Sequence, residues 1–366
     1  MRKDTTLELK IHEYMITLKK INIYRRKITK YLTSNIGKST AIEGTIDLIV
    51  KEHIKRILII RPNHRLGNII LITPIVQEVN RVFPNATIDL FVKGNIANVV
   101  FKNYNEVDEI ISLPKQHFKQ LGSYLLCWLR LKSKEYDLVV NCVEHSSSGK
   151  LLTRFSRARH KFYGATFLDE LCELHFAEQK HIAKNAVYSF RNFSTRKGLF
   201  IDNTEIPKLD LKLSQNELQE GEDLIYKLTK NRKETIVIYT YATGDKCYSR
   251  TWWNVFYELL TNNFPDFNII EILPIEGVSN INYMAPSFYS ENLRQIGALI
   301  ANSKMFIGAD SGMMHLASAS LTRTVGLFCI TDDEKYKPYG NGSFAIDTRK
   351  FDLNDCIDII KKSISN

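Results

Sequence analysis

The chain has 366 residues, of which 44% are hydrophobic and 25% charged, as in an ordinary globular protein. Its length exceeds that of one typical domain and suits two. No stretch approaches the roughly 18 consecutive apolar residues of a membrane span, and the N-terminal residues carry charges where a secretory signal needs an apolar core. These features predict a cytoplasmic protein without a membrane-spanning helix.

The charge balance and the cysteine spacing limit the partners. Lys and Arg number 50 against 40 Asp and Glu, and the net charge of +10 favours anionic partners such as nucleotides, phosphorylated glycans or acidic lipids. The six cysteines are widely separated, so neither a metal site nor a disulfide is expected. Because no helix-turn-helix, RRM or zinc motif is present, we do not expect nucleic acid as a partner.

Residues 1–50 differ from the rest of the chain and are predicted to form a basic N-terminal helical extension. Within residues 15–32, apolar side chains recur at helical spacing, and six basic residues occur without an acidic one. Such a helix either lies on an anionic membrane, as a peripheral contact at the inner membrane, or packs against the rest of the protein. Amphipathicity alone does not separate these two roles.

From Lys55 onward, short apolar runs alternate with helical patterns, which is typical of βα units and parallel sheets. The pattern predicts an α/β fold with two Rossmann-like, doubly wound domains, and a ligand in the cleft where the carboxyl ends of both sets of strands converge. The first domain (residues 51–205) has strands near 56–60, 87–92, 109–112 and 137–142, with helices near 69–83, 95–103, 117–134 and 148–157. The second (residues 206–366) has strands near 235–240, 267–273, 304–308 and 324–329, with helices near 251–263, 290–302, 313–320 and 353–364. The best linker candidate is the polar segment around 200–215.

The first stretch with functional potential follows the first strand. A loop with Arg61, His64 and Arg65 leads through Gly67 and Asn68 into a helix. Gly67 permits a sharp turn there, and the first amides of the helix would face the cleft. This pattern alone occurs in many Rossmann-like folds.

In the second stretch, residues 304–328, a strand ends before Asp310, Ser311 and Gly312. The chain then continues into a helix that contains His315. Either Asp310 or Ser311 can cap this helix, and the free amides of its first turn would form an anion site suited to a diphosphate. The alternative is that Asp310 is only a cap and His315 an ordinary helix residue.

The third stretch, residues 239–260, has Thr243, Lys246 and Arg250 in a loop before a helix that starts near Trp252. Two cations and a hydroxyl beside helix N-termini would make a phosphate clamp. A lone basic loop is more often a solvated surface, so this stretch gains meaning only beside the second one.

Together these stretches resemble glycosyltransferase family 9, the ADP-heptose:lipopolysaccharide heptosyltransferases, over most of residues 55–340. The family's Asp-Ser/Thr-Gly followed by a His looks like Asp310, Ser311, Gly312 and His315 here, and this is the more specific motif. Its first-loop pattern looks like Leu66, Gly67, Asn68 and Thr73-Pro74. Further similar positions are residues 136–154 and 181–187, Thr243, Arg250 before Trp252, Thr331-Asp332 and Pro338-Tyr339-Gly340.

The resemblance implies the GT-B architecture and an inverting, metal-independent transfer of heptose or a similar sugar. The donor would be a nucleotide diphosphate sugar such as ADP-heptose, with no further cofactor, and the acceptor a hydroxyl of lipopolysaccharide or another lipid-linked surface glycan. Donor binding would fall to Thr243, Lys246, Arg250, Asp310, Ser311, Gly312 and His315, because a leaving diphosphate gains charge that cations and helix amides stabilise. Acceptor binding would fall to Arg61, Arg65 and Glu144.

The sequence departs from the family at the position of its general base, where the family's Asp is Asn68 here. An amide cannot take a proton at ordinary pH. The local substitute is His64, since an imidazole with a pKa of roughly 6.5 suits general-base work. Glu144 and His145 are other candidates. In a third alternative, Asn68 only orients the acceptor and the reaction runs with weak base assistance. The competing function is a sugar-nucleotide binding protein that has lost its base.

Overall fold

The computed structural model describes residues 24, 30, 31, 33–37, 48–115, 120–164, 180–201 and 204–365. The predicted basic segment 15–32 lies almost entirely outside these residues, so its role stays a prediction. Among the described helices, none combines the length and the apolar character needed to cross a membrane.

Five parallel strands form the first sheet, in the order β3-β2-β1-β4-β5. The three central strands are buried on both faces, as expected when helices cover a parallel sheet. Strands β1 to β4 confirm the predicted strands, while the edge strand β5 adds to them. The strands are β1 (Arg56–Ile60), β2 (Thr87–Lys93), β3 (Val107–Leu113), β4 (Glu135–Asn141) and β5 (Arg157–Phe162).

Among the residues that the structure describes, six helices accompany the first sheet. They are α1 (Leu66–Ile70), α2 (Thr73–Val82), α3 (Ile96–Val100), α4 (Leu121–Ser133), α5 (Ser147–Phe155) and α6 (Ile182–Arg196). The prediction of a single helix over 69–83 is wrong, because one helix ends at Ile70 and a second begins at Thr73. Pro74 lies in the first turn of α2, where its missing N–H removes no helical hydrogen bond, and a continuous helix would not tolerate it.

Six further parallel strands form the second sheet, in the order β11-β10-β9-β6-β7-β8. Its predicted strands are confirmed as β6, β7, β9 and β10, and short edge strands are added on both sides. The strands are β6 (Thr235–Tyr239), β7 (Asn268–Ile272), β8 (Ser287–Phe288), β9 (Met305–Ala309), β10 (Thr324–Phe328) and β11 (Phe344–Asp347). The helices are α7 (Gln215–Thr229), α8 (Arg250–Asn263), α9 (Leu293–Ala301), α10 (Gly312–Ala319), α11 (Asp333–Tyr336) and α12 (Leu353–Ser365).

One hydrophobic core runs from the first sheet into the second. It joins the inner sides of both sheets through apolar residues of the connecting segment, including the fully buried Leu209 and Leu211. A separate core lies beneath α8 and α12 of the second sheet, and another beneath α4 and α5 of the first. The two sheets are therefore packed together through a shared apolar contact.

The connecting segment after Thr204 is not the solvated linker that its polar composition suggests. The hydroxyl of Tyr104, from the first half, donates to the carbonyl of Asp210 at 2.8 Å. The amide of Leu211 donates to the carbonyl of Ala319, from the second half, also at 2.8 Å. The segment thus bonds to both halves. The boundary at 205/206 itself stays a prediction.

A buried arginine forms hydrogen bonds with both halves of the chain. The guanidinium of Arg294, only 3% exposed, donates to both carboxylate oxygens of Glu217 at 2.6 and 2.8 Å. It also donates to the carbonyls of Leu211 and Lys212 and, from α9 across to α3, to that of Val99. The hydrogen bonds from Arg294 hold the pKa of Glu217 well below its usual range.

Replacing Glu217 with glutamine is expected to lower the free energy of unfolding by about 2 kcal/mol near neutral pH, because a buried arginine loses its counter-charge. The pKa of Glu217 is depressed in the folded state, so its contribution is present above its unfolded pKa and is lost as the pH falls below about 4. Urea unfolding at two pH values would measure this, with the exposed Glu220→Gln on the same helix as control. The role of the Arg294–Glu217 pair would be contradicted if both variants lowered the free energy of unfolding equally. It would also be contradicted if the free energies of Glu217→Gln and wild type did not converge in acid.

Candidate active site

The predicted site loops lie at the topological switch points of the two sheets. In the first sheet the chain order reverses between β1 and β4, and in the second between β6 and β9. Ligands of doubly wound sheets bind at such points, outside the carboxyl ends of the strands. The loop from Arg61 to Asn68 follows β1, and the loop with Glu144 follows β4. The loop with Lys246 follows β6, and Asp310 follows β9.

The two halves meet where α1 packs against α10. A Cβ atom on Gly67 would lie 2.7 Å from Cδ2 of His315 and 3.5 Å from Cα of Gly312. A Cβ atom on Gly312 would lie 3.1 Å from Cβ of Leu66 and 3.3 Å from the amide nitrogen of Gly67. Only glycine allows this approach, so the sequence brings the two predicted motifs into direct contact.

Asp310 is the centre of a polar cluster at the end of β9. Its side chain is only 7% exposed, and Oδ2 accepts hydrogen bonds from Nζ of Lys246 and Oγ1 of Thr331, both at 2.5 Å. The cap of α10 is instead Ser311, whose Oγ accepts from the amide of Met314. Asp310 is therefore not the helix cap, and its carboxylate instead holds Lys246 and Thr331 at the end of β9.

Arg250 is the first residue of α8, and Ser249 caps that helix. The guanidinium is exposed and makes no hydrogen bond or ion pair with any described residue. A cation at a helix N-terminus faces the positive end of the helix dipole, so the position itself does not stabilise the charge. Thr243 is exposed in the same loop, and its side chain likewise makes no hydrogen bond among the described residues. Both groups are thus free to bind an anion.

His315 is buried in α10, and its Nδ1 has no hydrogen-bond partner among the described residues. Burial lowers its pKa to about 4, a shift that nearby Lys246 favours and Asp310 opposes. A second buried histidine, His181, lies close enough to repel charge on His315, and Nε2 of His181 contacts the carbonyl of Lys337 at 3.0 Å. His315 is therefore neutral at physiological pH, with an unsatisfied ring nitrogen.

The side chain of Asn68 is oriented by Arg61. Nη2 of the buried Arg61 donates to Oδ1 of Asn68 at 2.7 Å, and a guanidinium only donates, so the amide oxygen must face it. Nδ2 of Asn68 has no partner among the described residues and remains a free donor. Burial lowers the pKa of Arg61, although Cys142 and Tyr336 raise it. The predicted acceptor-binding Arg61 thus holds Asn68 in place.

His64 is exposed and lies on the β2 side of its loop, since a Cβ atom on Gly94 would approach Cβ of His64 to 3.6 Å. Its pKa is lowered by desolvation and by the charges of Lys93, Lys115 and Arg65. Its imidazole is consequently neutral at physiological pH and able to accept a proton. These cations give the carboxyl edge of the first sheet a basic rim.

The side chains of the remaining predicted residues are not bonded to the two polar pairs of the site. Arg65 is exposed and its amide donates to Oδ1 of Asn63. Glu144 is half-buried and His145 exposed in the loop after β4, and neither side chain makes a hydrogen bond or ion pair with another described residue. The structure therefore joins Lys246 with Asp310, and Arg61 with Asn68, but does not join His64 or Glu144 to either pair.

Tyr336, which lies near the site, was not singled out by sequence, whereas His181 and Tyr339 fall in stretches that resemble the family. Tyr336 of α11 lies close enough to Arg61 to influence its pKa, which places the second half beside the first-sheet loop. The ring of His181 packs edge-on against Tyr339 at 5.0 Å. Single aromatic residues in polar segments give no pattern that marks them as part of a site.

Within the described ranges, no group of three or more His, Cys, Asp or Glu side chains is placed to hold a metal ion. The cysteines that the structure describes, all except Cys172, are free thiols.

Comparison with known proteins points to one family. A model of glycosyltransferase family 9 (heptosyltransferase) matches residues 290–356, which include Asp310 and α10. Lipopolysaccharide heptosyltransferase 1 of Campylobacter coli is 24% identical over 307 residues, covering 78% of this chain and 87% of the relative. Lipopolysaccharide heptosyltransferase 3 of Escherichia coli is 22% identical over a similar length, covering 75% and 84%.

Solved structures share the fold over nearly their whole length. The glycosyltransferase family 9 protein of Veillonella parvula superposes with a TM-score of 0.68 at 14% identity, covering 85% of this chain and 97% of that one. The E. coli heptosyltransferase WaaC with ADP gives 0.64 at 17% identity, covering 84% and 99%. The two facing doubly wound sheets are accordingly the GT-B fold, and the chain is similar to glycosyltransferase family 9 in its second half and to heptosyltransferases over most of its length.

Proposed function

We propose that the protein transfers heptose, or a similar sugar, from a nucleotide diphosphate donor such as ADP-heptose to a hydroxyl of a lipid-linked lipopolysaccharide-type glycan. The transfer inverts the anomeric configuration, because one attack by the acceptor displaces the diphosphate. The protein acts in the cytoplasm at the inner membrane, where such an acceptor is displayed. The names of the curated relatives supply the class of donor and acceptor.

The observation that carries this proposal is the pairing of Lys246 with Asp310 beside the α10 N-terminus, with Arg250 four residues further along the same loop. Arg250 has no partner among the described residues, and Lys246 is held at Asp310. The amides of the first turn of α10, after the Ser311 cap, add further donors. A leaving diphosphate gains negative charge during transfer, so these groups stabilise the transition state more than the bound donor.

The same groups favour a reaction without a metal ion. Lys246 and Arg250 supply the positive charge that a divalent cation gives to a diphosphate in other enzymes. Lys246 also occupies Oδ2 of Asp310, the carboxylate oxygen that a cation would otherwise approach. Transfer should therefore persist in EDTA and show no dependence on added magnesium or manganese.

The acceptor binds on the first-sheet side. The free Nδ2 of Asn68 can donate to a sugar oxygen, while Arg65 and the basic rim beside His64 suit the negative charges of a lipopolysaccharide core. Glu144 lies in the neighbouring loop and can accept from a sugar hydroxyl. Asn68, with its oxygen bound to Arg61, orients the acceptor and does not remove its proton.

His64 is the best candidate for the general base, since its imidazole is unprotonated at neutral pH. A base must be deprotonated to act, so kcat/KM is expected to fall as the pH drops below the pKa of His64, which lies under the ordinary 6.5, and to be level above it. Replacing His64 with alanine should lower kcat by about 100-fold and remove this acidic limb. Turnover of ADP-heptose with a truncated lipopolysaccharide acceptor, followed across pH, would measure both effects.

The control for this experiment is His145→Ala, which removes a nearby exposed imidazole from the β4 loop. An unchanged pH profile in His64→Ala would rule out His64 as the base. A profile lost instead in His145→Ala or Glu144→Gln would assign the base to the β4 loop.

The Asn68→Asp variant tests whether the wild type is an active transferase or a sugar-nucleotide binding protein that has lost catalysis. The new carboxylate would lie beside Nη2 of Arg61, which would hold its pKa low and make it a weak base. We therefore expect no gain in transfer over wild type. If the wild type instead binds the donor without transferring the sugar, and Asn68→Asp restores transfer, the binding-protein alternative would be established.

A further inference from the structure

Helix α4 presents three large apolar side chains to solvent. Leu125, Leu126 and Leu129 are 62%, 65% and 63% exposed, and Phe155 at the end of α5 is 48% exposed beside them. The ring of Phe155 stacks edge-on against Trp128 of α4 at 6.1 Å, which joins the two helices into one surface. These four residues form what we call the α4 face. Contiguous exposed apolar groups of this kind mark an interaction site more often than isolated ones do.

The fold does not need this surface. The opposite side of α4 is anchored in the core beneath it, where Leu131 is fully buried and Tyr124 and Trp128 pack against the same cluster. The three leucines therefore project outward from a helix that is already held, and their exposure has no structural explanation within the described residues.

The charged residues of helices α4 and α5 are all basic. Helices α4 and α5 contain four basic residues and no acidic one, and those four are Arg130, Lys132, Lys150 and Arg154. Nζ of Lys132 lies 6.0 Å from the centre of the Phe155 ring, directly at the apolar surface. Arg130 pairs with Glu109 yet stays 68% exposed. Exposed leucines and an aromatic ring flanked by cations are the pattern of helices that lie in a membrane interface.

The α4 face belongs to the first half of the chain, the half with the predicted acceptor loop. A helix in a βα unit runs opposite to its strands, so α4 and α5 begin at the carboxyl edge of the sheet, and Phe155 ends α5 towards the opposite edge. The α4 face therefore lies on the flank of the first sheet. We propose that the α4 face binds the surface of an anionic lipid bilayer, with the leucines among the acyl chains and the cations at the headgroups.

This inference depends on the proposed function only for the identity of the acceptor, because bilayer binding can be measured without donor or acceptor. The experiment is flotation of the full chain with vesicles of phosphatidylethanolamine and phosphatidylglycerol, and with vesicles of phosphatidylcholine alone. The test variant is Leu125→Glu with Leu129→Glu. Its matched control is Val255→Glu with Phe351→Glu, which makes the same charge change at positions 43% and 42% exposed on the second half.

We expect the wild type and the control to bind the anionic vesicles, and the leucine variant to bind about tenfold more weakly. Binding should weaken in high salt and with phosphatidylcholine alone, and Lys132→Gln with Arg154→Gln should reduce it as well. Equal binding by the leucine variant and the control would overturn the proposal, as would a wild type that does not bind. If the leucine variant only converts a dimer to a monomer in sedimentation velocity, the α4 face joins two copies of the chain and the lipid proposal is wrong.

Discussion

Replacement of Arg250 with alanine is expected to lower kcat/KM for sugar transfer by about 100-fold to 1,000-fold, the effect of removing one preorganised group that binds developing charge. Most of the loss should appear in kcat, because the diphosphate carries more charge as the glycosidic bond breaks than in the bound donor. Affinity for ADP, measured by calorimetry, should fall less. Arg250→Lys keeps the charge but not the planar fork, so its activity should lie between wild type and Arg250→Ala.

Stability should not fall in Arg250→Ala, and this separates a role in binding from a role in folding. The side chain is exposed and unpartnered among the described residues, and a cation in the first turn of a helix opposes the helix dipole. The melting temperature is therefore expected to stay level or rise slightly. Lys227→Ala removes an exposed cation from the end of α7 and serves as the charge-matched control. Arg250→Ala activity within twofold of that control would contradict a phosphate-binding role.

The sheets could be predicted from sequence because their central strands are apolar runs. Runs such as Arg56–Ile60 and Met305–Ala309 are buried on both faces, and burial on both faces requires continuous apolar sequence. Strand β5 escaped this criterion, since an edge strand with the sequence Arg-Ala-Arg-His-Lys-Phe has no such run. Helix α7 was missed although it carries a recognisable capping box, in which Ser214 and Glu217 bond to each other's backbone amides.

The loops of the site could be predicted, but their side-chain partners could not. Each loop follows a strand that ends at a switch point, and strand order along the chain is enough to suggest that. Nothing in sequence spacing indicates that Lys246 would bind Asp310, which lies 64 residues away, or that Arg61 would take the oxygen of Asn68. Such pairs depend on how loops converge after the sheets have packed.

Replacing Gly67 with alanine is expected to abolish most activity and to lower the free energy of unfolding by about 1–3 kcal/mol, the usual cost of overpacking a tight contact. The new Cβ atom would lie 2.7 Å from Cδ2 of His315, which is itself buried and cannot swing aside. Helices α1 and α10 must then separate, which moves the acceptor loop relative to the donor site. A displacement of about 1 Å at a reacting centre can cost about 100-fold in rate.

A graded series of glycine variants makes this prediction specific to the contact between the halves. Gly312→Ala places its Cβ atom 3.1 Å from Cβ of Leu66, a milder overlap, so both its activity and its stability should lie between those of wild type and Gly67→Ala. Gly122→Ala in α4 meets nothing within 4 Å and should raise stability by up to about 1 kcal/mol through helix propensity alone. Activity on a soluble acceptor and urea unfolding would be measured for all three. Wild-type behaviour of Gly67→Ala in both assays would mean that α1 and α10 do not meet at these glycines, and the shared site between the two sheets would lose its main geometric support.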